Sequence, residues 1–325
     1  MTTPTGQHMP SANTAHGNGF AYLDLDHALG IIDRQLSRLG GTRTGTPITV
    51  KCWSVSLVLE VPTDRGPLWF KAVPPLFAHE GRVTHWISHL LPGLVPEVVA
   101  FGPGWLLTTP LPAELGNPIG HPLDAVADLQ LATVGQEDEI LALGCPDRRL
   151  PVLLADITGL VRRTDLLPVT DRHELAAQLG LLDRLCQAID RRAMPATLIH
   201  GDVNGENSRW TAHGWMHIDW TDACLAHPCV DLAQPLLGAD DRLSRTVEAD
   251  FYQAWATRVP PHDLAVVRAA SPILGAAHQV GTYLRIIDEV GPADDHALML
   301  RLWARRLTAA LAASQTDRIL QGEIR

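Results

Sequence analysis

The hydrophobic pattern of this chain changes its period near Pro112, and this change constrains the fold more than any other feature of the sequence. Before Pro112, short runs alternate apolar and polar side chains, as half-buried β-strands do. Beyond it, apolar residues recur every three or four positions, as on one face of an α-helix. We therefore predict an α+β architecture with a small β-rich lobe and a larger, mainly helical lobe. A ligand-binding cleft is expected where the two lobes meet.

The small lobe is predicted to hold a mostly antiparallel sheet with one helix inserted after its second clear strand. Its predicted elements follow one another in this order: a helix at about Leu29–Leu39, strand-like runs at Ile48–Val61 and Pro67–Val73, a helix at Ala78–Leu91 and a hairpin over Val95–Leu111. The turn PTDRG at Pro62–Gly66 joins the first two runs into another hairpin.

The clearest helix of the larger lobe is predicted at Asp171–Ala193, where Asp171 and Glu174 have the spacing of a capping pair. A second helical stripe near the C-terminus consists of Ala297, Leu300, Ala304, Leu307 and Leu311. Two short apolar runs between these helices, 197–199 and 215–218, have the character of strands.

Composition excludes several classes of protein. The 325 residues are 46% hydrophobic and 19% charged, as in ordinary globular chains of two domains. The formal net charge of −10 argues against nucleic acid as a partner, because phosphate backbones attract basic surfaces. No apolar stretch reaches the length of a membrane span. The five scattered cysteines indicate free thiols in a reducing compartment, so we expect a cytoplasmic protein. The N-terminal residues have little to bury, and we expect a flexible tail at 1–28.

One short segment concentrates the polar groups that can do chemistry: residues 200–220 read HGDVNGENSRWTAHGWMHIDW. Metal-dependent phosphoryl transfer needs an Asp near the attacking hydroxyl, an Asn a few residues later to hold the metal, and a second Asp on that metal. Asp202, Asn207 and Asp219 occur in this order and at suitable spacing. The turn at 204–206 can bend the loop so that Asp202 and Asn207 both face the cleft.

The rarity of lysine makes one further residue informative. Of the 26 basic residues 24 are arginines, and the two lysines are Lys51 and Lys71. A phosphoryl-transfer site also needs a strand lysine in the small lobe, paired with a glutamate on the following helix. Lys71 lies in the run LWFKAV, and Glu80 follows nine residues later at the start of the predicted helix. Lys51 has no such partner in the sequence and is expected to be solvated.

Two other readings of the same segment stay open at this point. The pairs His200/Asp202 and His217/Asp219 are spaced i, i+2, which places both side chains of a pair on one face of an extended chain. Together they could form a hydrolytic metal site with two His and two Asp ligands, although that site leaves Asn207 and Lys71 without a role. The chain could also be a nucleotide-binding module that has lost catalysis, although such modules usually lack one of the groups found here.

The segment HGDVNGEN…HIDWTDACLAHPCVDLA resembles the signature of the aminoglycoside phosphotransferase and choline-kinase-like family, in which a His-Gly-Asp-x-x-x-x-Asn loop precedes an Ile-Asp-Trp strand end and a later Asp-Leu-Ala. The resemblance covers roughly residues 29–325. It implies a two-lobed protein-kinase-like fold, with a nucleotide-binding lobe at 29–111 and a catalytic and acceptor-binding lobe at 112–325. It also implies an enzyme that uses ATP and Mg²⁺ to phosphorylate a hydroxyl of a small molecule.

The resemblance also implies roles for individual residues. Asp202 would be the catalytic base, and Asn207 and Asp219 the magnesium ligands. Lys71 would contact the α- and β-phosphates and be held by Glu80. Adenine would bind backbone near Thr108–Leu111. His200, Asp222 and Asp231 are expected to support the site from behind, and Asp222 could also approach the metal or the acceptor, or cap a local turn.

The chain departs from related kinases at two places that affect these expectations. No glycine-rich phosphate loop is present; Lys51–Ser56 occupies its place, so Trp53 and Ser54 are expected to cover the phosphates. Gly201 stands where protein kinases have the Arg of His-Arg-Asp, and no Ala-Pro-Glu follows. A small acceptor is therefore favoured over a peptide.

Overall fold

The computed structural model describes residues 22–116, 118–237, 241–313 and 319–320. The small lobe is a five-stranded antiparallel sheet in the order β1-β2-β3-β5-β4, with two helices. Its elements are α1 at Leu25–Arg38, β1 at Ile48–Trp53, β2 at Ser56–Val61, β3 at Leu68–Ala72, α2 at Glu80–Leu90, β4 at Val98–Gly102 and β5 at Trp105–Thr108. The predicted small antiparallel-sheet lobe is confirmed.

The buried side chains on one face of this sheet pack against α1. Leu57, Leu59 and Val61 of β2 are buried, and Phe70 of β3 lies beside them. Helix α1 covers this face with the apolar residues Ala28, Ile31, Ile32 and Leu36. Because strand side chains alternate between faces, the opposite face of β3 is left to carry Lys71 toward the other lobe.

Two boundaries in the small lobe differ from the sequence prediction. The run at Ile48–Val61 is two paired strands, because the chain reverses at Ser54–Val55 and Trp53 pairs with Ser56. Helix α1 begins at Leu25, four residues before the predicted start, because the Asp24 side chain accepts a hydrogen bond from the His27 amide (2.7 Å). Residues 25–28 therefore belong to a helix, and residues 1–21 of the expected tail lie outside the described residues.

The larger lobe is mainly helical, as predicted. Its helices are α3 at Pro122–Ala132, α4 at Glu137–Ala142, α5 at Leu150–Arg162, α6 at Val169–Asp190, α7 at Asp241–Trp255, α8 at Pro261–Glu289 and α9 at Asp294–Ala312. Helix α8 is the central element, since residues on all its faces are buried. The predicted capping pair of α6 is wrong: Pro168 precedes the helix, and Asp171 accepts a hydrogen bond from Arg305 Nε (2.7 Å).

Two short antiparallel strand pairs position the polar segment 200–220. Strand β6 at Thr197–Ile199 pairs with β9 at Cys224–Ala226, and β7 at Ser208–Thr211 pairs with β8 at Gly214–His217. The loop 200–207 therefore leaves the end of β6, and Asp219 follows the end of β8. In the part of the chain that is described, no helix is both long enough and apolar enough to cross a bilayer.

Candidate active site

Lys71 connects the two lobes. Its Nζ donates to Glu80 Oε1 and to Asp219 Oδ1, each at 2.7 Å. Lys71 lies on β3 and Glu80 is the first residue of α2, whereas Asp219 comes from the larger lobe. The structure thus brings together three residues that are up to 148 positions apart in sequence.

The electrostatics of this trio keep the lysine charged. Burial alone lowers the pKa of Lys71, but the charges of Asp219 and Glu80 outweigh it, and the net pKa is raised. Burial favours the neutral form of Asp219, yet the Lys71 charge and the hydrogen bonds from Lys71 and Thr221 bring its pKa down to about 2. Burial raises the pKa of Glu80, and the Lys71 charge offsets part of that rise.

Asp219 has an unusual backbone conformation. Its φ of 64° is in the left-handed region, and no other non-glycine residue in the described ranges has a positive φ. Such a conformation costs on the order of 1–3 kcal/mol and persists where the surroundings impose it. Here Thr221 Oγ1 donates to Asp219 Oδ1 (2.6 Å), so the strained backbone directs the carboxylate toward Lys71 and the cleft.

Asp202 and Asn207 lie together in the loop 200–207. Asn207 Nδ2 donates to Asp202 Oδ2 (2.9 Å) and to its carbonyl oxygen (3.0 Å). Asn204 Oδ1 accepts from the amides of Glu206 (2.8 Å) and Asn207 (3.0 Å), which closes the tight turn between them. Burial and the Asp219 charge raise the pKa of Asp202, so its carboxylate is a stronger base than a solvated one.

Buried hydrogen bonds hold this loop from behind. Asp231 accepts from the amides of Gly201 (2.7 Å) and His200 (3.1 Å) and from Gln130 Nε2 (2.7 Å). His200 Nε2 lies 3.0 Å from the Ile218 carbonyl oxygen, which ties the loop to the strand end that carries Asp219. Burial raises the pKa of Asp231 to about 6, although the backbone amides oppose it.

Gly201 is required for this arrangement, and Gly201→Ala is expected to disrupt it. Its φ is +84°, and an added Cβ would lie 2.7 Å from the Asp222 carbonyl oxygen. The left-handed strain and the overlap predict a loss of about 2–4 kcal/mol in the free energy of unfolding, measured by chemical denaturation, together with loss of activity. Gly205→Ala in the same loop is the control, because its Cβ would meet nothing within 4 Å. Equal stability of the two variants would contradict the prediction.

Two cavities meet at these residues. The first, which we call the hinge-side cavity, has a volume of about 390 Å³ and lies between the sheet and the larger lobe. Thr108 and Leu111 line it where the chain passes from one lobe to the other, and Lys71, Glu80, Asn207 and Asp219 close its inner end. Its apolar walls and the connecting backbone suit a flat ring system.

The residues at the turn between β1 and β2 are not arranged as predicted, since Trp53 and Ser54 were both expected to face the ligand. Ser54 lies in the turn itself and lines neither cavity, whereas Ser56, the first residue of β2, lines both. Trp53 Nε1 donates to Ser56 Oγ (2.6 Å), and Trp53 lines only the second cavity. Lys51 is not simply solvated: its Nζ lies 3.7 Å from the centre of the Trp53 ring, and the residue lines both cavities. The rarity of lysine in this chain drew attention to Lys51 as well, but sequence reasoning used it only for Lys71.

The second cavity, which we call the α9-side cavity, has a volume of about 300 Å³. It lies between Asp202, the β1–β2 turn and helices α8 and α9, and Asp222 lines its floor. Burial and the charges of Asp202 and Asp219 raise the pKa of Asp222 to about 7. Asp222 thus lines the cavity directly, as one of the alternatives considered for it requires. Tyr283 also lines it, whereas the neighbouring His278 is fully buried and contacts Arg148 through its carbonyl oxygen.

The alternative metal site with two histidines does not fit this geometry. The Nε2 atoms of His200 and His217 lie 3.0 and 3.1 Å from the backbone oxygens of Ile218 and Pro122. Burial lowers the pKa of the two rings to about 4 and about 3, so both are neutral and committed to backbone. Within the described residues no group of three or more His, Cys, Asp and Glu side chains is placed to hold a metal ion by itself.

The oxygen atoms at the junction of the two cavities suit a hard cation that completes its coordination with other ligands. Asp219 Oδ2 accepts no hydrogen bond from the described residues, and Asn207 donates through Nδ2, which leaves its Oδ1 without a donor there. Carboxylate and amide oxygens supplemented by phosphate and water are the usual ligands of Mg²⁺. Asn207 and Asp219 therefore fit the role of magnesium ligands.

Comparison with known proteins agrees with this architecture. The family model described as "Phosphotransferase enzyme family" matches residues 58–270. No curated protein matches the sequence. A solved choline/ethanolamine kinase family protein from Mesorhizobium loti superposes with a TM-score of 0.63 at 15% identity, over 90% of this chain and 98% of that one.

Two further solved structures share the fold. A macrolide 2'-phosphotransferase type I has a TM-score of 0.59 at 16% identity and covers 91% of this chain and 100% of its own. A choline kinase from Streptococcus pneumoniae has a TM-score of 0.56 at 15% identity, over 88% and 99% of the two chains. The predicted two-lobed, protein-kinase-like α+β fold is confirmed.

Proposed function

The chain belongs to the phosphotransferase enzyme family, and from the geometry of its cleft we propose that it transfers the γ-phosphate of ATP to a hydroxyl of a small molecule. The observation that carries this proposal is the contact of Lys71 Nζ with both Glu80 and Asp219 at 2.7 Å. It places a fixed positive charge from one lobe beside the acidic groups of the other, at the junction of the two cavities. Residues 29–111 are then the nucleotide-binding lobe and 112–325 the catalytic and acceptor-binding lobe.

The nucleotide occupies the hinge-side cavity in this proposal. Adenine lies against the backbone near Thr108 and Leu111, and the phosphates extend toward Lys71. Glu80 holds the Lys71 ammonium in place, while Trp53 and Ser56, on either side of the β1–β2 turn, cover the phosphates. Asn207 and Asp219 are the residues that hold Mg²⁺, which when bound neutralises phosphate charge and orients the nucleotide.

Asp202 acts on the acceptor. It lines the α9-side cavity, next to the groups assigned to the phosphates. Its carboxylate accepts the proton of the acceptor hydroxyl as the hydroxyl oxygen bonds to the γ-phosphorus and the bond from that phosphorus to ADP breaks. Asn207 holds the other carboxylate oxygen through Nδ2 (2.9 Å). The raised pKa of Asp202 favours this role, because a stronger base takes the proton more readily. His200 and Asp231 maintain the loop geometry from behind.

The acceptor is a small molecule. A cavity of about 300 Å³ is at the lower end of the range for small-molecule sites, which matches a sugar, an amino alcohol or a biosynthetic intermediate of similar size. The names of solved proteins with the same fold mention choline, ethanolamine and macrolides. An aminoglycoside or another antibiotic is therefore also a candidate, provided that its reactive ring enters this cavity.

Acceptor-stimulated release of ADP tests the proposal. We expect MgATP to give slow hydrolysis alone and faster ADP release with an acceptor drawn from a panel of hydroxylated metabolites and antibiotics. Phosphate should appear on the acceptor by mass spectrometry, and EDTA should abolish the reaction because the phosphates lose their cation. GTP in place of ATP measures the base preference. Failure of the protein to bind MgATP by calorimetry would contradict the proposal directly.

A further inference from the structure

A buried histidine in the first turn of α9 lines the α9-side cavity, and its side chain forms no hydrogen bond with the described residues. His296 has only 6% of its surface exposed. Nδ1 is fully shielded from solvent and has no hydrogen-bond partner among the described residues, so Nε2 is the ring nitrogen that a molecule in the cavity can reach. Buried polar side-chain atoms nearly always have a partner, because leaving one unpaired forfeits the hydration it had in water. A molecule in the cavity can supply a partner to this ring at Nε2, for which the described residues provide none.

The neighbours of His296 form this end of the cavity. Asp295 Oδ1 accepts a hydrogen bond from the His296 backbone amide (3.0 Å), which fixes the start of the helix. Met299 follows one turn later and, with Phe77 and Ile286, forms an apolar wall of the same cavity. The imidazole thus lies beside an apolar surface within a cavity that also has polar groups, which is the usual composition of a small-molecule site.

The charge of the cavity restricts what can enter. Asp202, Glu206, Asp222 and Asp295 all line it. Lys71, which also lines it, is paired with two carboxylates, and Lys51 lies over the Trp53 ring at the mouth. An anionic acceptor would be repelled by the carboxylates, whereas a neutral or cationic molecule would not.

We propose that His296 binds the acceptor by a hydrogen bond to a polar group remote from the hydroxyl that is phosphorylated, and that the acceptor is a neutral or cationic hydroxylated molecule with an apolar face. This inference rests on the proposed phosphotransferase function. His296 is a specificity-determining residue in this scheme, because its hydrogen bond selects among molecules that all present a hydroxyl to Asp202.

Kinetics with an acceptor from the screen test the role of His296. In His296→Ala we expect the KM for the acceptor to rise about tenfold, since a lost hydrogen bond is worth roughly one decade. The KM for ATP and the slow hydrolysis without acceptor should stay within about twofold of wild type. His296→Gln should recover part of the loss, because its amide can reach the same group. His173→Ala, an exposed histidine on α6, is the matched control and should match wild type.

A binding measurement without nucleotide separates this inference from the proposed function. The imidazole signals of ¹³C-labelled protein are recorded with ethanolamine, choline, ribose, glucosamine and gluconate, and the His296 signal is the one missing from His296→Gln. We expect at least one of the first four probes to shift this signal, and anionic gluconate to leave it unchanged. A shift without any acceptor-stimulated ADP release would contradict the proposed function alone. An unmoved His296 signal with all five probes, a shift caused by gluconate alone, or an unchanged acceptor KM in His296→Ala would overturn the inference.

Discussion

Asp202→Asn is expected to lower the rate of phosphoryl transfer by about 10²–10⁴-fold, the usual contribution of a general base. The substitution removes the proton acceptor and changes little else. The asparagine oxygen can still accept the hydrogen bond from Asn207 Nδ2, now 2.9 Å from the carboxylate. The nucleotide pocket is built by other residues, so affinity for MgATP should be retained.

Single-turnover transfer and calorimetric binding of MgATP measure the two properties separately. Asp26→Asn on the exposed face of α1 is the matched control and should behave as wild type. If Asp202→Asn kept near-normal turnover, the base would have to be another carboxylate of the cavity, with Asp222 the nearest alternative to test. If binding and turnover fell together, Asp202 would act on the nucleotide instead of the acceptor.

Lys71→Met is expected to destabilise the protein by about 3–5 kcal/mol at neutral pH, because it leaves two carboxylates without their shared cation. Glu80 is only 2% exposed, so water cannot replace the lysine there. Affinity for MgATP should fall as well, since the positive charge assigned to the phosphates is gone. Lys51→Met is the matched control for stability, because Lys51 is exposed and forms no ion pair with the described residues.

The pH dependence of this loss has a definite sign. The pKa of Glu80 is already raised by burial, and removal of Lys71 raises it further, so the carboxyl is protonated more readily in the folded variant than in the unfolded chain. The destabilisation should therefore shrink as the pH falls from about 8 to about 5, as measured by denaturation at each pH. The double variant Lys71→Met/Glu80→Gln should regain part of the stability without regaining activity. A loss that is independent of pH would show that the unpaired carboxylates are not its cause.

Sequence reasoning located the main groups of the site because their chemistry limits the residue types that can serve. Asp202, Asn207 and Asp219 stand within one segment, and Lys71 stood out because lysine is so rare in this chain. The structure places Lys71 in direct contact with both Glu80 and Asp219. The roles of these residues remain predictions until the variants are measured.

Other features could not be read from the sequence, since they depend on contacts between distant segments. The turn at Ser54–Val55 interrupts a run whose composition is strand-like throughout, and only pairing of Trp53 with Ser56 reveals it. Asp171 has the spacing of a helix cap, but Arg305 from α9 binds it instead. His296 was not singled out in the sequence, because the role proposed for it follows from its burial, its place in the α9-side cavity and the lack of a hydrogen-bond partner among the described residues.

The sequence by itself determined the order of the two lobes, the family to which the chain belongs, and the residue types available for chemistry, because hydrophobic period and local motif spacing are properties of neighbouring residues. Only the tertiary structure decided which side chains share a cavity, which carboxylates are desolvated and which buried histidine nitrogens have no hydrogen-bond partner among the described residues. Burial and charge coupling act between residues that can be more than a hundred positions apart, and no local pattern encodes them.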